Sequence, residues 1–217
     1  MPSPTLIIGN KNYSSWSLRP WLLLRHFDID FEERRVALFT DTSDDTLEPY
    51  FSDFKVPILI DGERIVWDTL AILEYLSETR LDGAGWPTDV DARAFARSVS
   101  AEMHSSFAHL RDALPMNCRK RFSGIALSDD ALREIERVKA IWRRCRNDFG
   151  ATGDWLFGGF SIADAMYAPV ALRFDGYAIP LEGVEKAYVD RMLAHPAIAE
   201  WMAAGSAETE IIEMDEI

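Results

Sequence analysis

The pattern of apolar residues changes once along this chain, from alternating strand and helix signals to helical signals alone. Short β-rich runs such as Thr5–Gly9 and Phe31–Leu38 alternate with stretches of helical spacing in the first third. The periodicity stops in Leu81–Pro87, which holds two glycines and a proline, and only helical patterns follow. The change predicts an α/β domain at residues 1–80, a linker at 81–90 and an all-helical domain at 91–217.

The predicted order of elements in the first domain is β-α-β-α-β-β-α. Polar residues 40–53 are expected to hold a short helix, and the runs 56–60 and 64–66 flank Asp61-Gly62, a dipeptide that favours a tight hairpin turn. A last helix is predicted to begin at Asp68-Thr69. This order matches a thioredoxin-like sheet, in which parallel and antiparallel strands are mixed.

The second domain is predicted to be a helical bundle. Apolar residues recur three or four positions apart over 95–114 and again over 132–149, which predicts two long amphipathic helices. Ser161 and Asp164 form a variant capping box, so we expect them to begin a buried helix at Ile162–Phe174 and to have a structural role. The acidic stretch Glu208–Ile217 is expected to be only partly ordered.

Composition and charge exclude several classes of function. The formal net charge of −13 argues against a nucleic-acid partner, because phosphate binding requires a positive field. The chain has no signal-peptide pattern and no apolar run long enough to cross a bilayer, so no membrane association and a cytoplasmic location are expected. Cys118 and Cys145 have neither disulfide nor metal spacing, and His26 and His195 are expected to stand alone, so no metal is predicted.

A cluster of hydroxyl residues marks the junction between the first strand and the first helix. Residues 13–20 read Tyr-Ser-Ser-Trp-Ser-Leu-Arg-Pro. The start of a helix leaves backbone N–H groups unpaired and carries a positive partial charge, so an anion such as a thiolate is stabilised there. A serine at this place is equally suited to capping the helix, and Pro20 suits the first helical turn.

Two further motifs lie at the starts of later elements. Lys55-Val56-Pro57 begins a strand, where the proline either lies at a sheet edge in trans or forms a cis bond that leaves the Val56 backbone free to pair with an extended peptide. Asp68 and Thr69 begin a helix, where they either cap it or leave its N–H groups to a carboxylate. The residues alone leave both alternatives open.

In this order and spacing, these motifs resemble the glutathione transferase superfamily over essentially the whole chain. The resemblance implies a cis bond before Pro57 and a glutathione site in which Val56 pairs with the cysteinyl backbone and Asp68 and Thr69 hold the γ-glutamyl end. Lys55 either meets the glycyl carboxylate or remains in solvent. No metal is implied.

The segment Ser14-Ser15-Trp16 is most similar to the zeta class, whose motif begins Ser-Ser-Cys. By that similarity Ser14 is the leading catalytic hydroxyl and Ser15 the second, with Ser17 a further alternative. No cysteine lies in this loop, which disfavours chemistry that needs a protein thiol.

The function implied by the resemblance is that of a glutathione transferase, in which a serine hydroxyl activates the glutathione thiol for attack on a small electrophile. The resemblance also implies a homodimer and a role in detoxification. Alternatives are a glutathione-dependent isomerase or dehalogenase on the same site, or a non-catalytic protein-interaction module with this fold. The electrophile is expected between the domains, near Met103, Ser106, Phe107, Leu110 and Arg111, of which Arg111 is suited to an acidic substrate. The apolar residues among them are equally suited to packing the core of the bundle.

Overall fold

The computed structural model describes residues 3–216. The first part of the chain alternates strands and helices, as the sequence predicts, and includes the short helix expected within residues 40–53. Its elements are β1 (Thr5–Ile8), α1 (Ser15–His26), β2 (Glu32–Arg35), α2 (Ser43–Leu47), a 3₁₀ turn (Glu48–Tyr50), β3 (Ile58–Asp61), β4 (Arg64–Val66) and α3 (Thr69–Arg80).

The four strands form one mixed sheet in the order β2-β1-β3-β4. β1 runs parallel to β2 and antiparallel to β3, with Leu6 opposite Glu33 on one side and Leu59 on the other. Leu6 and Leu59 are fully buried, whereas all four residues of β2 are exposed. β2 is shorter than the predicted run because it is an edge strand that pairs only with the four residues of β1. The arrangement is thioredoxin-like.

The hairpin turn between β3 and β4 is shifted by one residue from the predicted position. Asp61 pairs with Arg64 in the ladder, so Gly62 and Glu63 make the turn, and Gly62 has the positive φ of 64° that such a turn requires. The Asp61 carboxylate accepts hydrogen bonds from Tyr75 at 2.9 Å and from Arg80 at 2.6 Å. These contacts from α3 hold Asp61 in the strand.

Pro20 lies in the interior of α1 and not in its first turn, because the helix begins at Ser15. A proline has no N–H to donate to the carbonyl four residues earlier, which here belongs to Trp16. The Thr69 hydroxyl donates to that carbonyl at 3.0 Å instead. The proline therefore frees an acceptor that ties α1 to the start of α3.

The rest of the described chain is helical, with turns and isolated bridges between helices. The elements are α4 (Val90–Ser105), α5 (Ala108–Ala113), α6 (Asp129–Phe149), a 3₁₀ turn (Gly150–Thr152), α7 (Ile162–Gly176), α8 (Gly183–Leu193), α9 (Pro196–Ala207) and a last 3₁₀ turn (Glu213–Asp215). No helix within residues 3–216 is long and apolar enough to cross a membrane.

The predicted helix over residues 95–114 is two helices in the structure. Phe107 adopts a left-handed conformation, with φ 62°, between α4 and α5. The break leaves the backbone N–H of Leu110 near the start of α5, where it donates to the Glu134 carboxylate of α6 at 2.7 Å. Phe107 and Leu110 stay buried on either side of the break, so the apolar spacing continues through it.

α7 runs through the middle of the molecule, against α1, α4 and α8. Its predicted capping box is confirmed: Asp164 accepts from the Ser161 N–H at 2.9 Å and from the Leu156 N–H at 3.0 Å. The helix ends at Gly176, two residues beyond the predicted end. Burial raises the pKa of Asp164 to about 6, against the hydrogen bonds that favour its ionised form.

The two histidines expected to stand alone meet where the end of α1 faces the start of α9. His26 Nδ1 lies 2.9 Å from His195 Nε2. Because His195 Nδ1 accepts from the Ala197 N–H and so caps α9, its proton is on Nε2 and is donated to His26. The His26 ring stacks on Phe160, and burial, with the nearby His195, lowers its pKa to about 4.

Both cysteines are free, as their spacing predicts, and both are buried. Burial raises the pKa of each thiol to about 12, with the Glu208 carboxylate contributing at Cys118 and the Asp164 carboxylate at Cys145. Both thiols are therefore protonated at neutral pH.

Candidate active site

A cavity of about 720 Å³ lies where the starts of α1, β3 and α3 converge. Its wall contains residues from each of the three motifs that the sequence points to, together with one side chain from α4 and two from the C-terminal tail. The residues that the following argument uses are Ser14, Ser15, Trp16, Lys55, Val56, Asp68, Thr69, His104, Ile212 and Asp215.

The two leading serines occupy different environments at the start of α1. Ser14 is the N-terminal cap residue and is half-buried, and its hydroxyl donates to Ser17 Oγ at 2.8 Å. Ser17 is fully buried and accepts from the Gly9 N–H at 3.1 Å, so it is a structural residue of the strand–helix junction. Ser15 is buried, and its Oγ accepts from the guanidinium of Arg173 at 3.4 Å.

The loop before β3 contributes backbone to the cavity. The Val56-Pro57 bond is cis, as the resemblance implies. Pro57 is buried, whereas Val56 is half-buried and lines the cavity. Lys55 also lines the cavity, but its amine pairs with the neighbouring Asp53 at 2.6 Å and both side chains are largely in solvent.

Asp68 and Thr69 make different contacts at the start of α3. Asp68 caps α3 by accepting from the Leu70 N–H at 3.3 Å, and its carboxylate is exposed at the cavity. The Thr69 hydroxyl is committed to the Trp16 carbonyl, so its side chain is not free for a ligand. The peptide bond before Asp68 is cis.

His104 is a cavity residue that the sequence analysis does not single out. Its Nε2 lies 3.2 Å from Asp68 Oδ2, and its ring meets the edge of Trp16 with centroids 5.4 Å apart. The helical spacing of α4 places His104 beside the predicted Met103, but one residue rotates the side chain by about 100° on the helix. No signal in the local sequence distinguishes these two faces.

The structure places four of the five expected electrophile-contacting residues away from this cavity. Met103, Phe107 and Leu110 are buried in the helical core, because they carry the apolar spacing that packs α4 and α5. Ser106 faces a separate surface hollow. Arg111 lies close to the cavity wall, with its guanidinium 5.3 Å from the centroid of Trp16.

Three arginines gather behind Ser15 and Trp16. Arg19 is fully buried, stacks on Trp16 at 4.0 Å and donates to the Ser15 carbonyl, but its Nη2 has no hydrogen-bond partner. Arg173 is also buried, and its Nε and Nη1 have none. Burial lowers the pKa of Arg173 to about 10, with the charge of Arg111 adding to the depression.

This cavity therefore has one clear binding chemistry. At the start of α1, the positive end of the helix and the serine hydroxyls suit a thiolate or another anion. The arginines lie behind this wall: Arg111 is partly exposed near Trp16, whereas the free nitrogens of Arg19 and Arg173 are buried. Within residues 3–216 no three His, Cys, Asp or Glu side chains form a cluster suited to a metal ion.

Both parts of the chain are similar to known proteins. Residues 13–79 match the family model described as the glutathione S-transferase N-terminal domain, and residues 92–204 match that of the C-terminal domain. The chain is 30% identical over 176 residues to a probable maleylacetoacetate isomerase of Caenorhabditis elegans, covering 79% of this chain and 81% of that protein.

A further relative is a zeta-class glutathione S-transferase of Euphorbia esula, with 28% identity over 76% of this chain and 71% of that protein. Among solved structures, a glutathione transferase homologue from Burkholderia GL BGR1 with bound glutathione superimposes with a TM-score of 0.69. It is 24% identical, and the alignment covers 95% of this chain and all of that one.

Proposed function

The chain belongs to the glutathione S-transferase family, and we propose that it is an enzyme in which Ser14 activates the thiol of glutathione for attack on a small electrophile bearing a carboxylate. The observation that carries the proposal is the meeting of Ser14, Val56 and Asp68 in one cavity. A scaffold without catalytic function has no need for these three features to converge.

The proposed chemistry starts from a weak nucleophile. A free cysteine thiol has a pKa of about 8.5, so only a few per cent of such a thiol is ionised at neutral pH. The positive end of α1 and a hydroxyl that donates to the sulfur both favour the thiolate. Lowering the thiol pKa by about one unit stabilises the thiolate by about 1.4 kcal/mol.

Ser14 is the preferred donor because it is the more accessible of the two serines at the helix start. Its proton now points to Ser17, and rotation about the Cβ–Oγ bond would redirect it to a sulfur in the cavity. Ser15 is the second candidate. Its oxygen already accepts from Arg173, which leaves its own proton available.

The remaining motif residues would hold the tripeptide. The Val56 backbone is suited to pair with the cysteinyl unit in the manner of an added strand, and Asp68 would attract the γ-glutamyl ammonium group. Because the Thr69 hydroxyl is used within the protein, we assign its contribution to its backbone N–H at the start of α3. Lys55 would reach the glycyl carboxylate after leaving Asp53.

Arg111 supports the assignment of a carboxylate to the electrophile. Its guanidinium is partly exposed, lies 5.3 Å from the centroid of Trp16 in the cavity wall, and would donate bidentate hydrogen bonds to a substrate carboxylate. In a conjugation step the thiolate sulfur would bond to the electrophilic carbon while the leaving group departs with its electron pair. An isomerase would instead add the thiolate to a double bond and expel it after rotation.

A test compares the wild type with Ser14→Ala. We expect the wild type to bind glutathione in calorimetry, and the pKa of the bound thiol, followed by thiolate absorbance, to rise by about one unit in the variant. Ser98→Ala, an exposed serine on α4, is the matched control and should leave that pKa unchanged. An unchanged thiol pKa in Ser14→Ala would transfer the role to Ser15.

Turnover separates the alternatives. Conjugation of chlorodinitrobenzene and of its carboxylated analogue, chlorodinitrobenzoate, would release chloride, and we expect the lower KM for the carboxylated compound. If the protein turns over neither of these compounds but does turn over an unsaturated or a halogenated carboxylic acid, the result would favour the isomerase or the dehalogenase. No binding at millimolar glutathione would favour the non-catalytic interaction module.

We also propose that the protein is a homodimer.

A further inference from the structure

His104 lines the candidate active site but has no role in the function proposed above. It lies in the last turn of α4, and 33% of its side chain is exposed. Its Nε2 lies 3.2 Å from Asp68 Oδ2, so the end of α4 meets the start of α3 at the cavity wall. Because an ionised carboxylate only accepts hydrogen bonds, Nε2 carries the proton and donates it to Asp68.

The other nitrogen of the His104 ring is turned into the protein. Nδ1 is buried and has no hydrogen-bond partner among the described residues. A ligand in the cavity does not reach this nitrogen, so in this orientation the ring is not placed to take a proton from a bound thiol. The ring meets the edge of Trp16 at 5.4 Å, and Trp16 is itself stacked on Arg19 at 4.0 Å. These contacts hold the ring with Nε2 towards Asp68.

The Asp68 carboxylate is held through both of its oxygens, each by a different helix. Oδ1 accepts from the Leu70 N–H of α3 at 3.3 Å, and Oδ2 faces His104 of α4. A carboxylate has about four lone-pair sites, so these two contacts leave about half of them for a ligand. The Asp68 side chain is 56% exposed and lines the cavity, so the remaining sites are accessible to a cationic group there.

We propose that His104 is a positioning residue, which fixes the Asp68 carboxylate in the orientation that binds the γ-glutamyl ammonium group of glutathione. The proposal rests on the proposed function in that Asp68 is assigned to that ammonium group. Without the His104 bond the carboxylate would be held through Oδ1 alone, and part of the binding free energy would be lost in ordering it. His104 would thus affect the binding of glutathione and leave the reaction of the bound thiol unchanged.

The first experiment uses two substitutions that place a donor differently. His104→Gln puts an amide NH₂ close to the position of Nε2, whereas His104→Asn puts it nearer to that of Nδ1. Calorimetry with S-methylglutathione should show binding weakened about three- to tenfold in His104→Asn and less than about twofold in His104→Gln. His109→Asn, which changes an exposed histidine of α5, should bind as the wild type does. Equal binding by the wild type and His104→Asn, or equal weakening in both His104 variants, would overturn the proposal.

A second comparison separates positioning from a general weakening of the site. N-Acetylation removes the charge of the γ-glutamyl amine, so His104→Asn should weaken the binding of N-acetyl-S-methylglutathione by less than about twofold. In Asp68→Asn, whose side chain still suits the cap of α3, adding His104→Asn should have no further effect on S-methylglutathione binding. Equal weakening of both ligands, or additive effects of the two substitutions, would contradict a role through Asp68.

Turnover distinguishes this proposal from the proposed function. His104→Asn should raise KM for glutathione about three- to tenfold and leave both kcat and the pKa of the bound thiol unchanged, whereas Ser14→Ala should raise that pKa. A lower kcat with an unchanged KM in His104→Asn would contradict the positioning role. The two binding comparisons use ligands without a thiol, so they remain decisive if Ser14 does not activate glutathione or if no electrophile is turned over.

Discussion

Two buried charges at opposite ends of α7 are accommodated in different ways. Asp164 near the N-terminal end is surrounded by donors, among them the N–H groups of Leu156 and Ser161, and it lies at the positive end of the helix. Arg173 near the other end keeps two nitrogens without partners. The first carboxylate therefore has its hydrogen bonds met within the fold, whereas the second guanidinium has only part of its donors met.

At Asp164 the expected effect is on stability. Replacing it by Ala leaves two buried N–H groups unsatisfied and removes the cap of a central helix, which should lower the free energy of unfolding by about 2 to 4 kcal/mol. Urea unfolding measures the change. Asp190→Ala, an exposed acid on α8, should cost less than about 0.5 kcal/mol. If both variants lose the same stability, Asp164 has no special structural role.

Among the elements, α1 makes contacts with distant parts of the chain at both of its ends and in its interior. Its start presents Ser14 and Ser15, while Pro20 in its interior releases the Trp16 carbonyl to Thr69. Its end places His26 against His195, the cap residue of α9, with Asp28 and Arg191 as the neighbouring charges. The helix thus links the sheet, the candidate active site and the last helix of the helical domain.

The His26 contact predicts a pH dependence of stability. The pKa of His26 is lowered from 6.5 to about 4 in the folded protein, so the unfolded chain binds the proton more tightly. Its contribution to stability is present above pH 6.5 and is lost as the pH falls from 6.5 towards 4. Solvent screening at this half-exposed site reduces the loss to about 1 to 2 kcal/mol.

Urea unfolding at pH 7 and pH 5 tests this, with His26→Asn compared with the wild type. The variant should lose less stability on acidification than the wild type does. Asp164 has a raised pKa, so its contribution makes the folded protein more stable as the pH falls over part of this range. Because Asp164 is present in both proteins, this contribution cancels in the comparison. Equal losses in the two proteins would show that His26 does not titrate as proposed.

For the molecule as a whole, an exposed aromatic patch stands out against a strongly acidic surface. Phe51 is 85% exposed and Trp67 is 41% exposed, and their rings meet edge to face at 5.7 Å. Phe39 and Phe54 are also exposed. Apolar patches of this kind mark interaction surfaces, and two copies that carry a net charge of −13 each need such contacts to overcome their repulsion.

We therefore place the proposed dimer interface at Phe51. Sedimentation velocity at micromolar concentration should show a dimer for the wild type and a shift to monomer for Phe51→Ala, because the variant loses most of an aromatic anchor. Ile211→Ala, which removes an exposed apolar side chain from the C-terminal tail, should remain dimeric. A monomeric wild type would contradict the dimer, and a dimeric Phe51→Ala would move the interface elsewhere.

The sequence by itself determined what depends on a few neighbouring residues. Apolar periodicity distinguished the mixed sheet from the helices that follow. Caps and turns depend on local dihedral preferences and short hydrogen bonds, so the helix start at Asp68 and the capping box at Asp164 could be read directly. The hydroxyl cluster at Ser14 was visible for the same reason, since a helix start is a local event.

Only the tertiary structure decided which distant side chains share the cavity. Arg173 reaches Ser15 across 158 positions of sequence, and His104 of α4 and Asp215 of the C-terminal tail line the cavity. These contacts depend on how the helices are rotated and packed. A repeating apolar pattern indicates which face of a helix is buried, but not which side chain of that helix reaches a given site. For that reason the pattern around Met103 selected core residues, whereas the packed fold places its polar neighbour His104 at the site.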